Sequence, residues 1–112
     1  MNHTINAQGK ILGRLASDIA IILQGKNSPA YEGRLPGTDR VTIKNITGIK
    51  VSGNKYTEKK YYSHSRQVGH LKEHTYKQKF EKNPAWVLQH AVRLMLPKNR
   101  LRKGRLKRLV IE

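Results

Sequence analysis

The chain contains no cysteine. Disulfides, thiolate zinc sites and cysteine nucleophiles are therefore excluded, and the absence fits a reducing compartment. Acids are scarce, with seven Asp and Glu against 23 Lys and Arg, so paired-carboxylate hydrolysis has little to draw on. The longest strongly apolar run, Ile19 to Leu23, falls far short of the ~20 residues that span a bilayer. MNHTINAQGK, at the start, lacks the basic-then-apolar layout of a secretory signal. Phosphate-cradling motifs are missing too: Gly9-Lys10 and Gly25-Lys26 lack P-loop spacing, and Gly33 and Gly37 make no GxGxxG. His70 and His74 stand four apart like a metal pair, but without an HExxH pattern or a supply of carboxylates. The expectation is a soluble intracellular protein with no cofactor, no metal and no small-molecule substrate.

What the chain has is positive charge. The formal net charge is +16 over 112 residues, with a pI near 10.5. The length fits one domain with a modest core. A field of that size repels itself in the isolated fold and attracts polyanions. The surplus is densest in Lys98, Arg100, Arg102, Lys103, Arg105, Lys107 and Arg108, with no acid among them. Pro97 separates this run from the apolar pattern before it, so it reads as a basic arm over 97–112 attached to a body over 1–96. Leu101, Leu106, Leu109, Val110 and Ile111 read as anchors holding the arm to the body. Each cation that meets a phosphate releases a condensed counterion, which makes nucleic acid the expected partner.

The rest of the chain alternates in type. Thr4 to Ala7 reads as a short strand. Ile11, Leu12, Leu15, Ile19, Ile22 and Leu23 fall at helical spacing with a wide apolar face, and Gly25 is placed to end that helix. Residues 26–39, with Pro29, Gly33, Pro36 and Gly37, form a loop. Val41 to Ile46 and Ile49 to Val51 alternate as strands, and Ser52 to Lys55 is a turn. Lys72 to Lys82 reads as a polar helix carrying Tyr76 and Phe80 on one face. Asn83-Pro84 then starts a helix that buries Val87, Leu88, Ala91, Leu94 and Met95; Trp86 reads as a packing residue. The order of elements suits an α/β domain.

Between these lies KYTEKKYYSHSRQVGHLK, Lys55 to Lys72. Its Lys55, Lys59, Lys60 and Arg66 mix with Tyr56, Tyr61, Tyr62, His64 and His70. Aromatic and guanidinium faces stack bases while lysines take phosphates, so the mixture suits RNA other than a plain duplex. Tyr61 and Tyr62 fit either a base stack or the core.

Four segments in order, GKILGRLAS from Gly9, VSGNK from Val51, KKYYSHS from Lys59 and MLPKNRLRKGRLKRL from Met95, resemble the universal large-subunit ribosomal protein family L thirteen. The resemblance runs from about Ile5 to Leu109. It implies a three-layer α/β/α domain with a mostly parallel four-stranded sheet. It also implies a structural, non-enzymatic role in early assembly, bound to large-subunit (23S-type) rRNA and to neighbouring ribosomal proteins in the cytoplasm, and not as a homo-oligomer. Residues it carries over are Tyr61, Tyr62, His64, Lys98, Lys103, Lys107 and Arg108, with Lys10 and Arg14 near the first helix; Arg102 and Arg105 join them from the basic run. Asn2, Arg66, His70, Asn99 and Arg100 depart from the family's usual residues, and the chain reads as a short bacterial-type member with trimmed ends. Two alternatives stay open: a small RNA-processing enzyme using Glu58 and His64, and an RNA- or DNA-binding regulator outside the ribosome.

Overall fold

The computed structural model describes residues 2–51, 53, 55–64, 69 and 71–112, with His64 described by its backbone alone. A parallel unit comes first. Strand β1 (Asn2–Asn6) leads into helix α1 (Leu12–Gln24), and a loop returns the chain to β2 (Arg40–Lys44). β1 pairs with β2 in parallel, Ile5 opposite Ile43. On its other side β2 pairs with β5 (Leu109–Ile111), also in parallel, Val41 opposite Leu109. The sheet order is therefore β1-β2-β5.

α1 forms where the apolar spacing places it. Leu12, Leu15, Ala16, Ile19, Ala20 and Leu23 are buried, and Gly25 ends the helix in the left-handed region at φ 84°, its N–H meeting the Ile21 and Ile22 carbonyls. A side chain at Gly25 would be strained there. Leu15 is 2% exposed. Leu15→Asp would bury an unpaired charge at a cost of several kcal/mol, against a total stability of about 5–15 kcal/mol. The expected outcome is loss of the cooperative urea transition followed by circular dichroism; a soluble, helical mutant would overturn the assigned face.

The expected sheet of four strands is corrected to three among the described residues. The alternating run Ile49 to Val51 contributes one parallel bridge, Lys50 with Ile11, instead of a strand. The preceding residues Ile46–Gly48 wind into a 3-10 turn, leaving too little extended chain for a ladder. The three-layer arrangement is corrected as well. His3, Ile5, Val41, Ile43, Leu109 and Ile111 share one sheet face, and Val41, Ile43 and Leu109 are buried there. On the opposite face Thr4 and Val110 are exposed and Thr42 half-buried. Parallel sheets are usually covered on both faces. Here the second face carries Asn2, Thr4, Asn6, Arg40 and Lys44, polar side chains that can stay exposed.

Downstream the chain makes a second, smaller assembly. Helix α2 (Lys55–Glu58) precedes β3 (Lys60–His64), which pairs antiparallel with β4 (Leu71–Thr75), Tyr61 opposite His74. The stretch expected to be irregular is therefore partly a hairpin, and the polar helix begins later than its pattern indicated. Helix α3 runs Tyr76–Lys82. Thr75 caps it, accepting from the Gln78 N–H at 3.3 Å while Gln78 accepts from the Thr75 N–H at 3.0 Å. This reciprocal pair satisfies two orphan donors of the first turn. Helix α4 (Pro84–Met95) packs against α1 through Val87, Leu88 and Val92, with Leu96 buried just past its end. Leu94 and Met95, expected in the core, are 65% and 42% exposed.

The basic arm, expected to be anchored to the body, is a helix and a strand of the fold. After Pro97 the chain turns, forms helix α5 (Leu101–Lys107) and enters the sheet as β5. Its anchors hold unequally: Leu109 is buried, Leu101, Leu106 and Ile111 are half-buried, and Val110 is exposed. Arg105 is 1% exposed, its Nη2 donating to the Leu35 carbonyl at 3.0 Å and its Nε to Pro36 at 3.4 Å. Arg108 Nη1 donates to the Asp39 carbonyl at 2.6 Å, and Nη2 to the Leu23 carbonyl at 2.7 Å and to Pro36. The two guanidinium forks thus tie α5 to the 26–39 loop and to the end of α1. Gly37 makes room for this. Its φ is 80°, and a Cβ there would lie 3.2 Å from the Leu23 oxygen and 3.5 Å from both Arg108 nitrogens. At the loop's far end His3 Nε2 donates to Asp39 Oδ2 at 3.1 Å, holding that carboxyl below its usual range.

Candidate nucleic-acid interface

α4 divides its residues between two faces. Val87, Leu88 and Val92 face the core, whereas Trp86, Gln89, His90 and Arg93 fall at i, i+3, i+4 and i+7 on the other side. Trp86 and His90 stack nearly parallel, with centroids 4.8 Å apart and planes at 14°. Tyr61 of β3 stands perpendicular to both, 5.0 Å from Trp86 and 5.3 Å from His90. Lys79 Nζ sits 4.6 Å from the Trp86 ring centroid, and Lys59 Nζ 5.4 Å from that of Tyr61. Cations over ring faces are favourable contacts of about 0.5–2 kcal/mol.

This aromatic trio is the wall between two clefts. One lies between α4 and α5, lined by Trp86, Gln89, His90, Arg93, Lys103, Leu106 and Lys107. The other lies between α4 and the hairpin, lined by residues that include Lys59, Lys60, Tyr61, Tyr62, His74, Lys79, Trp86, His90 and Leu94. Among the described residues no carboxylate lines either cleft. Burial, with the charges of Arg93, Lys59 and Lys79, lowers the His90 pKa from the usual imidazole value. Burial raises the Tyr61 hydroxyl as well. Tyr76, stacked on Phe80 at 5.7 Å, is pushed up to about 12 by burial, with Tyr61 and Tyr56 adding to it.

The structure brings the two sequence-derived groups, hairpin and basic run, onto neighbouring sides of α4. Lys59, Lys60, Tyr61 and Tyr62 line one cleft and Lys103 and Lys107 the other. Lys60 also meets Glu73 across the hairpin at 3.7 Å, an exposed pair that holds it weakly. Lys98 and Arg100 are exposed in the turn before α5, and Arg102 is half-buried in its first turn. Lys10 and Arg14 are exposed around the start of α1, and Lys55 is exposed on α2. None of these six lines either of the two clefts. Arg105 and Arg108 depart from the expected phosphate-facing row, because their donors are given to backbone carbonyls. Arg66 and His70 lie outside the described residues, as does the side chain of His64. Glu58 is exposed on α2.

Sequence reasoning passed over His90, Gln89, Arg93 and Lys79, and gave Trp86 only a packing role. The signal was the polar stripe 86-89-90-93, read as the back of an apolar helix. Among the described residues no group of three or more histidine, aspartate or glutamate side chains could hold a metal.

Fold and surface together define a small, strongly basic α/β domain whose cations gather around aromatic clefts without acids. The family described as Ribosomal protein L13 matches residues 1–111, and the chain belongs to that family. It is 51% identical over 107 residues to the Large ribosomal subunit protein uL13 of Lawsonia intracellularis, covering 96% of this chain and 74% of that protein. Against the Large ribosomal subunit protein uL13 of Aquifex aeolicus it is 49% identical over 107 residues, with the same 96% and 74% coverage. Against that of Spiroplasma citri it is 48% identical over 99 residues, covering 88% and 68%.

Proposed function

We propose that this chain is a structural constituent of the large ribosomal subunit, binding its rRNA and neighbouring ribosomal proteins in the cytoplasm and supporting early assembly. The observation that carries the reading is the family match across residues 1–111. The family is one of structural proteins, not enzymes. The charge distribution supports the same reading. Residues 1–112 act as one domain, not as a homo-oligomer, whose body presents cations on either side of α4.

In this reading Lys59, the β3 residues Lys60, Tyr62 and His64, and Arg66 meet one RNA segment. Lys98, Arg100, Arg102, Lys103 and Lys107 meet another, while Lys10, Arg14 and Lys55 add contacts at the start of α1 and on α2. Neutralising phosphates on both lowers the repulsion between segments brought side by side. Recognition is mostly of RNA shape, through phosphate and sugar contacts. Arg105 and Arg108 serve the scaffold.

Co-sedimentation tests the assignment. The protein is expected to remain with large subunits through salt washes that strip loosely held factors, and to be present on early large-subunit precursors. Release into the supernatant at moderate salt would point instead to a regulator acting outside the ribosome.

A further inference from the structure

We propose that the cleft between α4 and α5 receives one unpaired nucleotide of a single-stranded RNA segment, its base held against the Trp86–His90 pair and Leu106. The inference rests on the ribosomal reading but goes beyond it, because bulk phosphate neutralisation requires no aromatic cleft. Three features of the cleft select this occupant. Trp86 and His90 are stacked on each other and Lys79 lies over the Trp86 ring, so the pair offers a base its ring edges and the outer face of His90, with Leu106 of α5 half-buried opposite. An unstacked base has an apolar π-face that aromatic edges and Leu106 accept regardless of base identity. The Gln89 amide in the same cleft offers a donor and an acceptor to a base edge.

The rim supplies what the phosphates need. Arg93, Lys103 and Lys107 line the cleft, all are exposed, and among the described residues no ion pair engages them. A duplex does not fit this combination, since its bases are paired and stacked inside. Inorganic phosphate would use the rim and leave the rings idle. A free mononucleotide shares the chemistry of the strand but brings fewer phosphates to three cations.

Trp86 is the sole tryptophan of the chain, so its fluorescence reports directly on what lies against it. The intact protein is titrated with a short oligo(A) strand, the matched oligo(A)–oligo(U) duplex, adenosine monophosphate and inorganic phosphate at one salt concentration. Oligo(A) is expected to quench Trp86 strongly, and the duplex and phosphate little. Adenosine monophosphate is expected to quench with affinity lower by tenfold or more. His90→Ala should weaken oligo(A) binding several-fold, and Lys103→Ala with Lys107→Ala should weaken it further while keeping the quench at saturation. Equal quenching by strand and duplex, or strand binding with Trp86 unperturbed, overturns the inference. Adenosine monophosphate binding as tightly as the strand would move the site to free nucleotides and overturn it as stated. Binding of large-subunit rRNA is measured in parallel. If that rRNA binds and the oligo(A) quench is absent, the nucleotide cleft fails while the ribosomal reading stands; if the rRNA does not bind, the ribosomal reading fails on its own.

Discussion

Arg105→Ala is expected to lower the folding stability by about 3 kcal/mol, in urea unfolding followed by far-ultraviolet circular dichroism. Charged hydrogen bonds contribute about 1.5–3 kcal/mol each way they are lost, and Arg105 makes contacts of this kind to two carbonyls from a position 1% exposed. Removing the side chain also empties the space it fills between α5 and the 35–36 turn. For a domain of this size the change corresponds to about 10–15 °C in Tm. Arg105→Lys recovers part of the loss, because an ammonium cannot fork to both carbonyls as a planar guanidinium does. Lys103→Ala, two residues away and exposed, should stay within about 0.5 kcal/mol of the parent. Equal stabilities for the Arg105 and Lys103 variants would show that the guanidinium contacts add nothing to the fold.

The second large effect separates the binding surface from that scaffold. Replacing Lys98, Arg100, Lys103 and Lys107 together by Ala removes four exposed cations and spares the guanidinium forks of Arg105 and Arg108. Binding to large-subunit rRNA fragments is then compared with the parent across a salt series. The slope of log K against log salt is expected to fall by about 3 units, slightly under one per phosphate contact. Unfolding curves should overlay within about 1 kcal/mol. An unchanged slope with binding retained would remove the 98–107 segment from the interface and leave the hairpin to carry it. Including Arg105 or Arg108 in the set would confuse the two effects, since those variants lose scaffold and charge at once.

Much of the body was legible because its signals are local. The apolar spacing from Leu12 to Leu23, closed by Gly25, states a helix and its buried face in a form no later contact overrides. β2 was legible for the same reason. Over α4 the signal was ambiguous by a fraction of a turn: Leu94 and Met95 look as apolar as Val92 and Leu96, and only the placement of α1 decides which pair is covered. Arg105 was illegible as a core residue. Its partners are backbone carbonyls, which leave no mark in a side-chain pattern, and a cation inside a basic run looks like its neighbours. The helical spacing of Leu101, Arg105 and Arg108, on the side that leads to Leu109, was the trace available. On the site, charge and aromatics located the hairpin and the basic segment, yet α4 joins them, and its polar stripe was hidden behind an apolar one.

The forks of Arg105 and Arg108 bridge positions 69 to 85 residues apart in the chain, and β5 lies against β2 over a similar separation. During synthesis, then, residues 26–44 wait for partners made tens of residues later. At elongation rates of about 5–20 residues per second, the nascent chain spends seconds with β2 lacking its β5 neighbour and the loop carbonyls open. Long-range parallel pairing also closes slowly once all its parts exist. The domain is consequently completed only after α5 and β5 have been made, and a strongly cationic half-folded precursor must be kept from binding whatever polyanion is nearest before α5 docks.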